Sequence, residues 1–278
     1  MKGLNNLGNT CYMNSALQML LANLDLCKLI IKYQNRSEEL TKISDFIKFY
    51  HDSSREAINP AIIKSIVANK KDIFLGYRQQ DAEEFLTYFL ELLNSNIKDN
   101  YVDKLYNIKI KQIVKCKVMK CLNISESNFD YNKLVLDINE NETLDECYRK
   151  FKMSEKLEGD EMYYCEKCQK KRIASKRYEI TEWSKHLIVM LRRFTHKNGR
   201  LDKNTKSIDV PFEWRKGYKL VGGIHHSGSL NGGHYVYFGK YNENWYLFND
   251  CSVSQLHSSS LDNLKNNSYI YYYVKEDI

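Results

Sequence analysis

GLNNLGNTCYMNSALQMLL (residues 3–21) is the stretch from which the fold of this chain is read. A glycine-containing turn, Leu7-Gly8-Asn9, runs into Thr10, a residue type that caps helices, and Met13, Leu17, Leu20, Leu21 and Leu24 then recur at helical spacing. The pattern predicts a buried helix with Cys11 in its first turn. Unpaired backbone N–H groups and the positive end of the helix dipole favour an anion there, so the thiolate is expected to form more readily than the usual pKa of about 8.5 implies. Cys11 therefore suits a nucleophile. It suits a packed core cysteine as well, because cysteine is among the most buried residue types.

The complement lies near the other end, in NGGHYVYFGKYNENWYLFND (231–250). Tyr235, Tyr237, Trp245 and Phe248 flank a polar Tyr241-Asn242-Glu243-Asn244 segment, which reads as two aromatic-rich strands joined by a tight turn. Centring that turn between Tyr241 and Asn242 sets His234 opposite Asn249, close enough for the amide to hold the imidazole in one tautomer. Asn249 reads otherwise as a turn or strand-end residue. Gly232 and Gly233 leave the approach to His234 free of side chains. A cysteine at a helix start, a histidine on a strand and an asparagine beside it are the parts of a papain-type catalytic set.

The stretches 3–20 and 222–250 resemble the two signature boxes of the ubiquitin-specific proteases, a family of cysteine deubiquitinases. Between them GYRQQDAEEFL (76–86) is similar to that family's Gln-Gln-Asp box, and LRRF (191–194) sits where the family carries a Leu-x-Arg-Phe strand. The resemblance is collinear and runs from Gly3 to the last tyrosine-rich strand. It implies an α+β, papain-like fold: a helical thumb at about 1–105, fingers and the start of a palm over 106–185, and a palm sheet over 186–278, together one minimal catalytic domain. It implies ubiquitin or ubiquitinated proteins as partners and a monomeric enzyme. Cys11 would be the nucleophile, His234 the base, Asn249 its orienter, Asn6 an oxyanion donor, and Asp250 a second acidic group supporting the oxyanion or the attacking water. Gln80, Asp81, Gly232, Gly233, Tyr235 and His226 would line the channel for a Gly-Gly tail. Asp81 also has the spacing of a helix cap, since Asp81-Ala-Glu-Glu84 has the form of a capping box.

The remaining features bound these expectations. A chain of 278 residues, 43% hydrophobic and 28% charged, is long enough for one large domain or two small ones. No apolar run approaches the ~18 residues that span a bilayer, and no basic-then-apolar leader opens the chain, so a cytoplasmic or nuclear protein with reduced cysteines and no membrane contact is expected. From Tyr106 the pattern turns to β, and two cysteine pairs appear: Cys116 with Cys121, then Cys165 with Cys168. Cys165-x-x-Cys168 has the gap that lets both sulfurs reach one ion; the wider Cys116–Cys121 gap departs from the tighter family spacing. The four read as a structural zinc site of one ion per chain, or as a lapsed one whose hairpins hold by packing. The basic run Lys167, Lys170, Lys171, Arg172, Lys176 and Arg177 reads as a solvated hairpin, an anion-facing surface or an import signal. Regular stacking aromatics are missing from it, which disfavours a nucleic-acid platform. Three functions stay open: a deubiquitinase, a protease for another ubiquitin-like modifier, and a catalytically silent ubiquitin- or nucleic-acid-binding module.

Overall fold

The computed structural model describes residues 1–138, 142–197, 200–229 and 232–276. Its first part is helical because apolar residues recur three and four apart. Helices α1 (Cys11–Leu21), α2 (Leu24–Lys32), α3 (Glu38–Asp52), α4 (Ala61–Ala68), α5 (Ala82–Asn96) and α6 (Tyr101–Tyr106) share one core, and every residue of α1 is buried. The stripe from Met13 to Leu24 is divided between two helices. Asn23 accepts from the Leu26 N–H at 3.1 Å and so caps α2, while its amide donates to the Tyr106 hydroxyl at 2.8 Å. Leu24 is thereby turned outward and is 56% exposed. A short parallel pair, β1 (Gly3–Leu4) with β2 (Ala57–Ile58), straps the segment before α1 to this lobe.

Beyond Tyr106, β3 (Ile108–Cys116) and β4 (Ile124–Tyr131) form a long hairpin, and β5 (Leu134–Leu136) passes into the main sheet. Helix α7 (Leu144–Lys152) opens on a capping box in which Thr143 and Glu146 satisfy each other's N–H groups. β6 (Glu155–Leu157), the small pair β7 (Tyr163–Cys165) and β8 (Lys170–Arg172), and β9 (Ala174–Glu182) complete a finger sheet of order β4–β3–β9–β6. Many of its basic side chains are paired: Lys109 with Glu182, Lys111 with Glu126, and Lys176 with Glu155.

The remaining elements are β10 (His186–Leu191), β11 (Phe194–Lys197), β12 (Arg200–Lys203), β13 (Glu213–Trp214), β14 (Tyr218–Ser229), β15 (Gly232–Tyr241), β16 (Asn244–Asn249), β17 (Ser252–Gln255), α8 (Ser258–Asn267) and β18 (Ile270–Lys275). The main sheet runs β17–β16–β15–β14–β18–β10–β5, with β13 beside β14, and is antiparallel except where β5 joins β10. Its strands alternate between two cores. Tyr235, Tyr237, Ile270 and Tyr272 face the helical lobe; Phe238, Tyr271 and Tyr273 face α7, α8 and the finger base. Within 207–212 the β-pairing is the isolated parallel bridge from Asp209 to Thr143. Helix α8 escapes the sequence pattern because it buries only Leu261 and Lys265. No helix among the described residues is long and apolar enough to cross a membrane.

Arg193 holds the corner between these parts. It is 2% exposed, and its guanidinium donates to the carbonyls of Ser268 at 2.7 Å, Lys206 at 2.7 Å, and Asn204 and Asn266 at 3.2 Å. Arg193→Met strands these carbonyls and is expected to cost on the order of 3 kcal/mol, seen as a lower urea midpoint at unchanged m-value. A wild-type midpoint would refute the assignment.

Candidate active site

Cys11 is the first residue of α1, placed there by a turn with two left-handed residues, Gly8 (φ 95°) and Asn9 (φ 56°). Thr10 occupies the N-cap position, yet its hydroxyl accepts from the Leu7 N–H at 2.9 Å and so braces the turn instead of capping the helix. Tyr77 closes the outside of the turn: a Cβ on Gly8 would lie 2.7 Å from its ring, and Asn9 donates to its carbonyl at 2.8 Å. The Cys11 thiol is 4% exposed. Burial pushes its pKa up, N–H groups of Tyr235, Tyr12 and Cys11 itself pull it down, and the Asp250 charge pushes it up again. The net direction is upward. The readily formed thiolate expected from the helix dipole is thus outweighed by desolvation in the free chain.

The histidine hairpin has a register two residues away from the expected one. Its turn is Asn242-Glu243, both left-handed (φ 46° and 65°), so Tyr241 pairs with Asn244 and Tyr237 with Phe248. His234 is consequently not directly opposite Asn249. A slip of two preserves the face on which each side chain lies, and the two still meet: His234 Nε2 lies 2.6 Å from Asn249 Oδ1. An amide oxygen accepts, so the proton sits on Nε2 and the Nδ1 lone pair is left basic. Tyr235, the next residue, contributes the N–H that reaches the Cys11 sulfur, which brings the two boxes to one place.

Asp250 (φ 48°) follows in the turn between β16 and β17. Its carboxylate accepts from Asn6 at 2.8 Å and from Asn14 at 2.7 Å. Asn6 Oδ1 accepts in turn from the N–H groups of Gly8 at 3.0 Å and Thr10 at 3.1 Å, so its amide is held at both ends. Asn14 was not singled out from sequence. An amide one turn after Cys11, inside a largely apolar buried helix, is the signal that could have found it.

Across the cleft, Asp81 is both cap and clamp. It accepts from the Glu83 N–H at 2.7 Å, the Tyr235 hydroxyl at 3.0 Å and the Tyr269 hydroxyl at 3.4 Å, and burial holds its pKa above the usual carboxylate range. No capping box forms with Glu84; the Asp81 carboxylate accepts from the backbone N–H groups of Glu83 and Glu84 without a return bond from the Glu84 side chain. Gln80 donates to the Ile73 carbonyl at 2.6 Å. Its neighbour Gln79, absent from the sequence-derived set, pairs with the Gly233 backbone, donating to O at 3.2 Å and accepting from N at 3.1 Å. Adjacent glutamines give no sign in sequence of which one turns inward. The two glycines differ: a Cβ on Gly233 would lie 2.1 Å from His226 Nε2, whereas Gly232 has open space around it. Gln79, Gln80, Asp81, Gly233, Tyr235 and His226 line one open pocket of about 320 Å³.

In the finger sheet, the sulfurs of Cys116, Cys121, Cys165 and Cys168 all lie within 4.8 Å of one another. The wide first gap is accommodated by an exposed turn: the Cys121 N–H bonds to the Val118 carbonyl, Leu122 takes φ 49°, and Met119 projects outward at 88% exposure. Thiolates held tetrahedrally around one ion at about 2.3 Å are about 3.8 Å apart, so this set of soft donors fits such an ion.

A cysteine at a helix start, a strand-borne histidine bonded to an asparagine, and a helical lobe packed on a long, mostly antiparallel sheet define the papain-like cysteine protease fold. Within that class, the chain belongs to the ubiquitin carboxyl-terminal hydrolase family, whose model matches residues 2–273. It is 27% identical to ubiquitin carboxyl-terminal hydrolase Usp2 of Drosophila melanogaster over 98% of this chain and 34% of that protein. It is 29% identical to ubiquitin carboxyl-terminal hydrolase 48 of Danio rerio over 93% of this chain and 28% of that protein. Against ubiquitin carboxyl-terminal hydrolase 12 of Salmo salar it is 28% identical over 94% of this chain and 83% of that protein. The chain thus spans about a third of the length of the first two. Among solved structures it superposes on the SAGA DUB module Ubp8/Sgf11/Sus1/Sgf73 bound to monoubiquitin with a TM-score of 0.84 at 25% identity, over all of this chain and 70% of that one. The ubiquitin aldehyde complex of the same module gives 0.82 at 24%, over the same shares, a likeness of fold.

The burial pattern makes a direct prediction about thiol reactivity. Cys251 is exposed while Cys11, Cys27 and Cys147 are buried. With iodoacetamide and peptide mapping, Cys251 of the free chain is expected to be modified well before Cys11. Modification of Cys11 first would mean that its thiolate is already formed.

Proposed function

We propose that this chain is a cysteine deubiquitinase that hydrolyses the isopeptide or peptide bond after the C-terminal glycine of ubiquitin. The observation that carries the reading is the His234–Asn249 contact, with the residue after His234 reaching the Cys11 sulfur. His234 Nδ1 takes the thiol proton and the thiolate attacks the carbonyl carbon of the terminal glycine. Because burial and Asp250 oppose the lone thiolate, the imidazolium formed at His234 is what stabilises it. Asn6 donates one amide hydrogen to Asp250, and the second is left for the developing oxyanion. Asp250 in this scheme orients Asn6. His234 then protonates the leaving amine, and water resolves the thioester. Asn249 keeps the ring in the reactive tautomer.

The pocket beneath Gly233 gives the tail its specificity. Its walls, Gln79, Asp81, Tyr235 and His226, leave little room for a side chain on the substrate's last two residues. Ubiquitin as substrate is supported by family membership and by the ubiquitin-bound state of a structural relative. The helical lobe reads as thumb, the main sheet as palm and the finger sheet as fingers of one catalytic domain. The cysteine set in the fingers would hold one structural zinc, which ties the two hairpins together and has no open position for chemistry. Thiol ligands and a thiol nucleophile need a reducing compartment, which favours the cytoplasm or nucleus.

Ubiquitin carrying a C-terminal electrophile is expected to add one ubiquitin mass at Cys11, and Cys11→Ala to add none. Reaction with another modifier's probe alone would instead indicate a protease for that modifier. Asn6→Ala is expected to slow hydrolysis of a ubiquitin–fluorophore amide by about 10²–10³-fold with little change in KM. Elemental analysis is expected to find one zinc per chain, lost together with finger stability in Cys168→Ser; zinc near zero in the wild type would overturn the metal assignment.

A further inference from the structure

The β11–β12 hairpin brings one ammonium group against His226, a residue that lines the pocket. Lys203 Nζ lies 2.9 Å from His226 Nδ1, 2.9 Å from the His226 carbonyl and 3.0 Å from the Gly228 carbonyl. These contacts use all three of its donors. An ammonium has no lone pair, so the contact with Nδ1 is a hydrogen bond only if that nitrogen is unprotonated. The ring must then be neutral, with its single proton on Nε2. Nε2 is the atom that occupies the space where Gly233 would carry a Cβ. The ring is gripped by Phe194 at 5.5 Å and Tyr235 at 4.5 Å between centroids and is 8% exposed.

On the reading given under Proposed function, we infer that Lys203 is a positioning residue: it locks His226 as a neutral donor, Nε2–H toward the channel, for a main-chain carbonyl of the substrate's glycine tail. Through Gly228 it also anchors the end of β14. The groups facing His226 are Lys203 from β12 with Arg193 behind it, His225 on its own strand, His234 and Tyr235 on β15, and Asp81 and Glu84 from the α5 side of the pocket. Burial first, then Lys203, His225 and His234, hold the His226 pKa down at about 4, so the ring stays neutral at physiological pH. A charged His226 would oppose the imidazolium that His234 must form. Lys203 therefore protects the reaction from acid as well as shaping the channel. Nothing in the sequence singles it out among the 42 Lys and Arg residues.

The test begins with the free protein, labelled with ¹⁵N-histidine. Side-chain NMR of the wild type is expected to show His226 neutral, with its proton on Nε2, between about pH 5 and 8. A proton on Nδ1, or a charged ring, overturns the inference outright. In Lys203→Met the His226 pKa is expected to rise by about one unit, and the acid limb of kcat/KM to rise with it, an approximately tenfold loss on that limb. Lys203→Arg should keep the neutral tautomer, and His226→Gln added to Lys203→Met should cancel the limb shift. A loss in Lys203→Met that is equal at every pH, with His226 unchanged by NMR, would reduce Lys203 to a structural contact and overturn the inference. If Lys203→Met does not fold, the wild-type tautomer and the Lys203→Arg profile decide. Failure of the wild type to react with the ubiquitin electrophile would overturn the substrate assignment, while the NMR result would still judge the lysine–histidine lock.

Discussion

Helix α1 has no solvent-facing side, and it lies against β15 with Tyr235 and Tyr237 turned toward it. Burying a helix all round leaves its polar residues with a strict requirement for partners. Gln18 meets it by donating to the Lys2 carbonyl at 2.8 Å and accepting from the Tyr50 hydroxyl at 2.7 Å. The Asn14 amide nitrogen meets it by donating to Asp250 and to the carbonyls of Leu4 and Asn5, while its buried Oδ1 is left without a partner. Those bonds draw the N-terminal strap and the β16–β17 turn onto the helix. The groups that surround Cys11 are therefore consequences of how one buried helix is satisfied.

The same burial sets the electrostatics. A thiol 4% exposed, with a carboxylate nearby, resists ionisation despite its place at a helix start. In the proposed mechanism, reactivity then depends on the imidazole as proton acceptor and on Asn6, whose amide plane is fixed by Asp250 on one side and by the Gly8 and Thr10 N–H groups on the other. On that proposal the site has little spontaneous nucleophilicity and becomes competent when a substrate carbonyl is seated. Two polar clamps link thumb to palm around it: Asp81 with Tyr235 and Tyr269, and Gln79 with Gly233. Both belong to the segment that enters α5, so the cleft's width is tied to the start of that helix.

Distance from the cleft does not make the remaining features incidental. Arg193 joins the end of β10 to the return of the β11–β12 hairpin and to the end of α8. That corner determines where Lys203 arrives. The finger cysteines, for their part, gather where the far ends of β3 and of the β7–β8 pair meet, and few apolar side chains accompany them there.

Residues 3–21 and 231–250 were enough to reveal the helix-borne cysteine, the histidine hairpin and the α+β class, because periodicity and turn chemistry are local. The cysteine spacings likewise foretold a four-sulfur cluster, and the extra residues of the first gap loop outward without disturbing it. The hairpin register was misread by two because a left-handed Asn242-Glu243 turn and its neighbours look alike in sequence; the parity of the strand preserved the faces all the same. α8 and the break at Asn23 were invisible for a related reason: one buries too little to show a stripe, and in the other two helices share one. What only the tertiary structure decided is which side chains meet from distant segments: Asn14 with Asp250, Gln79 with Gly233, and Lys203 with His226. It also decided the direction of the Cys11 pKa, since desolvation depends on everything packed around a sulfur and leaves no mark in the order of residues.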